Sequence, residues 1–365
     1  RETAVLEEST SVVGLRSREL LHRFQAARAA LSAGAGRGDV ERMAAELFFD
    51  QFLALALAGD LRSSLWCLER PEIWRAFHGA AAAGRMARLQ LWQSLAARLP
   101  RIETELVQAG ALEWLAKESV LTRRDALEVA RAFAARSHGS LCHGWALYAE
   151  ARLTAPWSTE DSAAIRSASA LLEAARVISR GDPRLSQRAS DAISRLQNLS
   201  IGCRAPNFAT EDARGNEICL EDLRGKVVLV RFWSFTQGDV ADVLGEDRAL
   251  VSEYWDDRFA LLGVNGDQDS REFLRQCEEN GVLWENAWEA LHRGSAGSAW
   301  HVDAPATILL DEDGVVRFVD LEGAALRAAL HELVLTQRQS LGQRTGRGRH
   351  ESDEEGRAGD DPRWR

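Results

Sequence analysis

The residues of this 365-residue chain that are most able to do redox chemistry are its five cysteines. Two thiols separated by two residues at the start of a helix form a dithiol that exchanges disulfides, and the same spacing is common in zinc sites. No two cysteines here are that close in sequence, so neither a disulfide scaffold nor a metal cluster is expected, and packing roles are favoured over catalysis. The cysteines are Cys67, Cys142, Cys203, Cys219 and Cys277.

The histidines and glycine-rich stretches give no stronger sign of a catalytic site. His138 and His143 flank Cys142, but their five-residue separation does not place them on one helical face, as a metal site would require. Gly34–Gly38 and Gly294–Gly297 lack the Lys and Ser/Thr of a phosphate-binding loop. We therefore expect no metal and no cofactor.

Charge and hydropathy exclude two classes of partner. A formal net charge of −10 and a pI near 5.4 disfavour a nucleic-acid ligand, because phosphate backbones bind concentrated cationic surfaces. The longest apolar run, around Leu47–Ala58, is interrupted by Asp50 and Gln51, so no membrane span is expected in the chain shown. The chain begins at Arg1, and a signal or anchor ahead of it would not be visible, so the compartment stays open.

The first half of the sequence predicts an all-helical domain. Apolar residues recur at three- and four-residue spacing, and breaks are expected at Gly34–Gly38, Gly59–Asp60, Arg70–Pro71, Pro100, Ser137–Ser140, Thr154–Thr159 and Gly181–Pro183. These breaks give about eight to ten helices. Gly144–Leu153 looks like the first helix of a tetratricopeptide-type pair, although no strict 34-residue repeat recurs, so an irregular helical domain and a repeat array both stay open.

The second half changes to short β-rich runs that alternate with helical stretches, which is typical of an α/β domain with a mixed central sheet. Strands are expected at Val227–Trp233 and Phe259–Val264, with helices from Asp239 and Asp269, a closing hairpin of Thr307–Leu310 and Val315–Val319, and a last helix at Ala324–Leu335. Trp284, Trp288 and Trp300 are expected to form one aromatic cluster. The predicted layout is an extension at 1–10, a helical domain at 11–199, a linker at 200–206, the α/β domain at 207–335 and a disordered tail at 336–365.

Several motifs in this second half resemble the thioredoxin-like redoxin family, in its branch of TlpA-type disulfide reductases and AhpC/TSA peroxiredoxins. They are a GxxAPxF entry (Gly202, Ala205, Pro206, Phe208), a DxxG hairpin turn (Asp212, Gly215), LxDLRGKVVLVxFW from Leu220 to Trp233, and APATILLDEDGVVR with its Ala304–Pro305–Ala306–Thr307. The resemblance implies a thioredoxin-like fold, a cis-proline loop at Pro305, and disulfide exchange or peroxide reduction. Helical extensions ahead of such domains are known in bacterial members, and family members are often periplasmic or membrane-anchored.

The positions that carry the family's chemistry differ in this chain. The two family cysteines fall on Gln237 and Val240, and the peroxiredoxin alignment puts Asp239 at the peroxidatic position behind Thr236. An amide and an isopropyl group cannot attack a disulfide. In addition, Arg231 occupies the position of the buried carboxylate of thioredoxins, and Thr236 with Asp239 has the spacing of a helix capping box.

Two functions follow as alternatives. The first is a redox-inactive domain that binds a protein or peptide partner or serves a structural role, with no catalytic residue. The second is a thiol-disulfide oxidoreductase or antioxidant enzyme that uses a displaced cysteine. In the first, an extended peptide would lie in the groove beside the proline loop, as an added strand does. The expected binding residues are Trp233, Phe235, Thr236, Gln237, Ala304, Pro305 and Ala306.

Overall fold

The protein comprises two compact units, Arg1–Ser200 and Ile201–Arg365. The computed structural model describes residues 12–31, 37–71, 73–74, 82–118, 120–156, 158–236, 240–254, 258–290, 294–302 and 305–337. The expected extension at 1–10 lies outside the described residues, as does the expected tail except for its first two residues.

The described part of the first unit is helical, as the spacing of its apolar residues predicts. Its helices are α1 (Val12–Leu31), α2 (Arg37–Leu57), α3 (Leu61–Leu68), α4 (Ala82–Ala109), α5 (Ala111–Ala116), α6 (Arg123–Arg136), α7 (Leu141–Thr154), α8 (Ser162–Ile178) and α9 (Pro183–Asn198). Five of them begin at an N-cap side chain that accepts a backbone N–H, which satisfies one of the open donors of the first turn. The caps are Asp60, Thr122, Ser140, Asp161 and Asp182.

The break expected at Pro100 is wrong, because α4 continues through it to Ala109. A proline inside a helix removes one backbone hydrogen bond, but buried leucines precede Pro100 and Ile102 and Leu106 are buried after it. Burial of this continuous apolar face stabilises the helix by more than the missing backbone hydrogen bond costs. The helix ends instead at Gly110, whose φ of 68° suits glycine.

Helix α7 approaches its neighbours closely at Gly144. A β-carbon there would lie 2.7 Å from Cδ2 of Leu185 and 3.3 Å from Cγ2 of Ile178, so only glycine fits without displacement. The indole of Trp145 donates a hydrogen bond to Asp182 over 3.0 Å. The tetratricopeptide-like alternative stays a prediction.

The second unit contains a mixed five-stranded sheet and a two-stranded hairpin. The sheet order is β5-β4-β3-β6-β7, with β3, β4 and β5 parallel to one another, while β6 runs antiparallel to both β3 and β7. The strands are β1 (Ala209–Glu211), β2 (Glu217–Cys219), β3 (Val227–Trp233), β4 (Phe259–Asn265), β5 (Glu285–Trp288), β6 (Ala306–Leu310) and β7 (Val316–Val319), and the helices are α10 (Val240–Glu253), α11 (Ser270–Glu279), α12 (Ser295–Trp300) and α13 (residues 323–337).

Three details of the second unit differ from the sequence-based expectation. β5 and α12 were not expected. The residues of β5 have weak strand preference, and the pairing of β5 with β4 decides the conformation of β5. The tryptophans do not form one cluster: Trp284 and Trp288 pack with Trp233, whereas Trp300 contacts Phe208 and Phe232. Successive residues of β3 point to opposite faces of the sheet, which separates the two groups.

The last helix, α13, also extends past Thr336 into the segment that was expected to be a disordered tail. Gln337 is 2% exposed and donates a side-chain hydrogen bond to the backbone oxygen of Gly225. This bond joins the end of α13 to the residues that precede β3. Within the described residues, no helix has the length and apolar character that a bilayer crossing requires.

Candidate functional site

The site that the sequence predicts lies at the carboxyl end of β3, the central strand. All seven residues of β3 are buried, because the strand has neighbours on both edges and helices cover it. Trp233, the last of them, donates its indole N–H to Oδ1 of Asn286 over 3.1 Å. Gly263 on β4 leaves room for this contact, since a β-carbon there would lie 1.9 Å from Oδ1 of Asn286.

A carboxylate at the end of β4 holds the loop that follows β3. Oδ2 of Asp267 accepts the backbone N–H of Phe235 at 3.0 Å and the side-chain amide of Asn265 at 2.9 Å. The indole of Trp288 donates to the backbone oxygen of Asp267 at 2.8 Å. The loop conformation is thus fixed from the neighbouring strand.

The head of α10 is only partly within the described residues. Gln237, Gly238 and Asp239 lie outside them, so the expected capping box is not described, whereas Val240 is the first residue of α10. The hydroxyl of Thr236 lies 2.6 Å from that of Ser234.

A small cavity of about 130 Å³ adjoins the proline loop. Its lining includes Trp233, Pro305 and Ala306 of the expected binding set, together with Val243 of α10 and Thr307 of β6. Pro305 is exposed, whereas the other expected residue of its loop, Ala304, lies outside the described residues. The peptide bond that would be cis joins these two residues, so its geometry stays a prediction.

Phe235 lies with a different set of residues. Its ring contacts those of Trp233 and Phe273, with centroid separations of 4.9 and 6.1 Å, and it does not line the cavity beside Pro305. The structure therefore groups Trp233, Pro305 and Ala306, and places Phe235 in the half-buried aromatic cluster that also includes Cys277.

Beneath the cavity is a buried ion pair that the sequence analysis missed. Nη2 of Arg231 lies 2.8 Å from Oδ1 of Asp247 and 3.7 Å from Glu246, and Nη1 donates to the hydroxyl of Thr307 at 3.2 Å. Burial raises the pKa of Asp247 to about 6, against the opposing effect of Arg231. Because Arg231 lies among apolar residues in the sequence of β3, the sequence indicates a buried cation that needs a partner. It does not identify that partner.

All five cysteines are described and none forms a disulfide. Burial raises the pKa of Cys67 far above its usual range and that of Cys142 to about 12, with Glu103 adding to the effect on Cys142. Burial and the nearby charge of Asp267 raise the pKa of Cys277 to about 12. At neutral pH these three thiols are protonated, which is the unreactive form.

Comparisons with known proteins match part of this chain. The model of the AhpC/TSA family matches residues 201–319. A Helicobacter pylori (strain J99) protein named "Putative peroxiredoxin bcp" is 31% identical over 91 residues, which are 24% of this chain and 60% of that protein. The thiol-disulfide oxidoreductase ResA of Bacillus cereus (strain ATCC 10987) is 23% identical over 144 residues, which are 38% of this chain and 80% of ResA.

Among solved structures, the thioredoxin domain of a thiol-disulfide oxidoreductase from Bacteroides vulgatus is 24% identical, with a TM-score of 0.34. The match covers 38% of this chain and 99% of that domain. The family match falls on the second unit, which has the mixed sheet and the proline-containing loop before β6. The C-terminal unit of this chain is therefore a thioredoxin-like domain of the redoxin family.

Proposed function

We propose that the redoxin domain binds an extended peptide segment beside Pro305 and does not exchange thiols with it. The observation that carries this proposal is the absence of any cysteine between Cys219 and Cys277 in the sequence. That interval contains the whole of β3, the loop after it and α10. The place where a redoxin would present its nucleophile therefore has no sulfur, whatever the conformation of the loop.

The thiols elsewhere in the domain support the same conclusion. Cys277 is part of the aromatic cluster beneath Phe235, and its raised pKa leaves it protonated. The thiol of Cys219 lies 3.7 Å from the side chain of Asn207 at the end of the β1–β2 hairpin. Neither forms a disulfide in the structure.

The surface beside Pro305 supports peptide binding. Pro305 is exposed, and the cavity next to it is lined by the apolar side chains of Trp233 and Val243 together with the charged residues Arg231, Asp320 and Glu322. A volume of about 130 Å³ accommodates a single side chain and not a larger ligand. A peptide that lies along the loop would place one side chain there while its backbone pairs with the chain before β6.

Peptide selection with the full-length protein tests this proposal. Peptides enriched from a random library should bind the Pro305→Ala and Val243→Ala variants about threefold to tenfold more weakly, because each substitution removes apolar contact area. Pro183→Ala, at the first turn of α9 in the other unit, is the matched control and should bind as the wild type does. Equal affinity of all four proteins would reject this groove as the binding site.

The alternative function is that of a thiol-disulfide oxidoreductase or peroxide reductase, which the names of the relatives favour. It requires a displaced cysteine, so its activity should be lost when Cys203, Cys219 and Cys277 are replaced together by serine. Peptide binding should survive that triple replacement. The triple-serine variant thus distinguishes the two functions: an oxidoreductase would lose its activity, whereas peptide binding would be kept.

A further inference from the structure

A second and larger cavity lies on a different part of the redoxin domain. Its volume is about 540 Å³, and it opens between the turn joining β1 to β2, helix α11 and the connection from α11 to β5. Within the part of the chain that the structure describes, it shares no lining residue with the cavity beside Pro305. A volume of this size lies within the range of about 300–1,000 Å³ that small-molecule sites occupy.

One wall of this cavity is apolar and aromatic. Trp284 and the largely buried Phe273 line it, and Leu283 lies at its edge with an exposed fraction of 87%. Leu283 is the most exposed large apolar residue of the described chain. An apolar ligand body that covered these groups would remove hydrocarbon surface from water, at about 25 cal/mol per Å².

The rest of the lining is strongly acidic. Glu217, Glu278 and Glu285 contribute carboxylates, and none of the three has an ion-pair partner among the residues that the structure describes. Asp212 also lines the cavity, but its carboxylate accepts hydrogen bonds from its own turn, from the backbone N–H groups of Arg214 and Asn216. Arg214 is the single cationic side chain among the described residues of the lining. Four carboxylates against one guanidinium make the cavity attractive to a positive charge.

The aromatic wall strengthens this preference for a cation. The face of an indole attracts ammonium and guanidinium groups, and tryptophan is the strongest of the aromatic side chains in this respect. The indole nitrogen of Trp284 is buried and has no hydrogen-bond partner within the described residues. The Trp284 ring is therefore held in place by packing contacts and not by a hydrogen bond of its indole nitrogen.

We propose that this cavity binds a small organic cation, with an aromatic or apolar body and one ammonium or guanidinium group. The body lies against Trp284 and Leu283, and the positive charge lies among Glu217, Glu278 and Glu285. The site is separate from the peptide groove beside Pro305, so it stands whether or not that groove binds a peptide.

Three probes of similar shape and different charge test the proposal on the full-length protein. 2-Phenylethylamine should bind saturably by calorimetry, 2-phenylethanol should bind at least about fivefold more weakly, and 3-phenylpropanoate should not bind. The affinity of the amine should fall as salt is added, because salt screens the carboxylates. Equal affinity for the three probes, preference for the anion or no saturable binding of the amine would overturn the proposal.

Charge-neutralising variants locate the site. Glu278→Gln and Glu285→Gln are exposed substitutions that keep side-chain shape, and each should weaken binding of the amine by about twofold to fivefold while leaving that of the alcohol unchanged. Glu332→Gln, exposed on α13, is the matched control and should bind the amine as the wild type does. If neither cavity variant differs from this control, the amine does not lie where we place it and the proposal fails.

Discussion

At the residue scale, burial decides the energetics of the Arg231–Asp247 pair. Their exposed fractions are 4% and 1%, so both charges have left water and each depends on the other. Removing one member of such a pair costs more than replacing both by apolar groups, since the remaining charge is left without compensation.

We expect Arg231→Met to lower the free energy of unfolding by about 3–5 kcal/mol at pH 8, measured by denaturant titration, because the carboxylate of Asp247 is then buried alone. The double variant Arg231→Met/Asp247→Leu should recover most of this loss. Arg131→Met, which breaks a surface pair with Glu150, is the control and should cost less than about 1 kcal/mol. A double variant as unstable as the single one would contradict the account.

The pKa of Asp247 gives this pair a dependence on pH. The folded protein holds the proton of Asp247 up to about pH 6, whereas an aspartate in the unfolded chain releases it near pH 4. Between these values the folded state binds more protons, so the contribution of Asp247 to stability falls as the pH rises. The destabilisation caused by Arg231→Met should therefore be smaller at pH 5 than at pH 8, and an equal loss at both values would show that Asp247 is not the affected group.

Asp267 offers a separate prediction about the loop after β3. Asp267→Ala removes the acceptor of the Phe235 backbone N–H, and we expect hydrogen exchange of that amide to accelerate about tenfold or more. Asp267→Asn keeps an oxygen at the same position and should accelerate it less. If the two variants exchange at the wild-type rate, the loop is held by other contacts.

At the scale of elements, glycine at position 263 permits β4 and β5 to pair beside Trp233. Gly263→Ala would place a methyl group against Asn286 and break its hydrogen bond with Trp233, so we expect a loss of about 2 kcal/mol or more in unfolding free energy. Gly245→Ala, inside α10 with its nearest neighbour at 4.0 Å, is the control and should stabilise the protein by up to about 1 kcal/mol. Similar effects at the two positions would contradict the packing described here.

The sequence predicts those strands and helices whose bounds are set by residues nearby in the chain. β3 has the predicted bounds because an apolar run is enclosed by Gly225–Lys226 and Ser234, and α11 begins after its cap Asp269, as expected. β5 has no such signal, since its strand conformation depends on pairing with β4. Pro100 was misread for a related reason: the buried face of α4 is a tertiary property that a local helix-breaking rule does not include.

The candidate binding site stays a prediction, and the sequence indicates only part of its geometry. Family motifs identified Trp233, Pro305 and Ala306, which the fold gathers around one cavity. They did not separate Phe235 from that group, because the direction of a loop side chain depends on Asp267 and Phe273. The link between Arg231 and Asp247 joins a strand to a helix, and sequence spacing alone gives no sign of it.

At the scale of the whole molecule, the second unit contains a complete sheet with its own buried clusters. We expect Ile201–Arg365, produced alone, to fold and to unfold in one cooperative transition, because a domain of this size can bury its own core. Circular dichroism during heating measures this. A fragment without a cooperative transition would contradict the assignment of a self-contained redoxin domain.

The central claim, that this redoxin domain transfers no electrons through thiols, is tested most directly by insulin reduction with dithiothreitol as the electron source. The account predicts a rate equal to that of dithiothreitol alone for the wild type, and a rate above it for Gln237→Cys/Val240→Cys, which restores two thiols at the family positions. Wild-type turnover above the dithiothreitol background, abolished by replacing Cys203, Cys219 and Cys277 with serine, would contradict it.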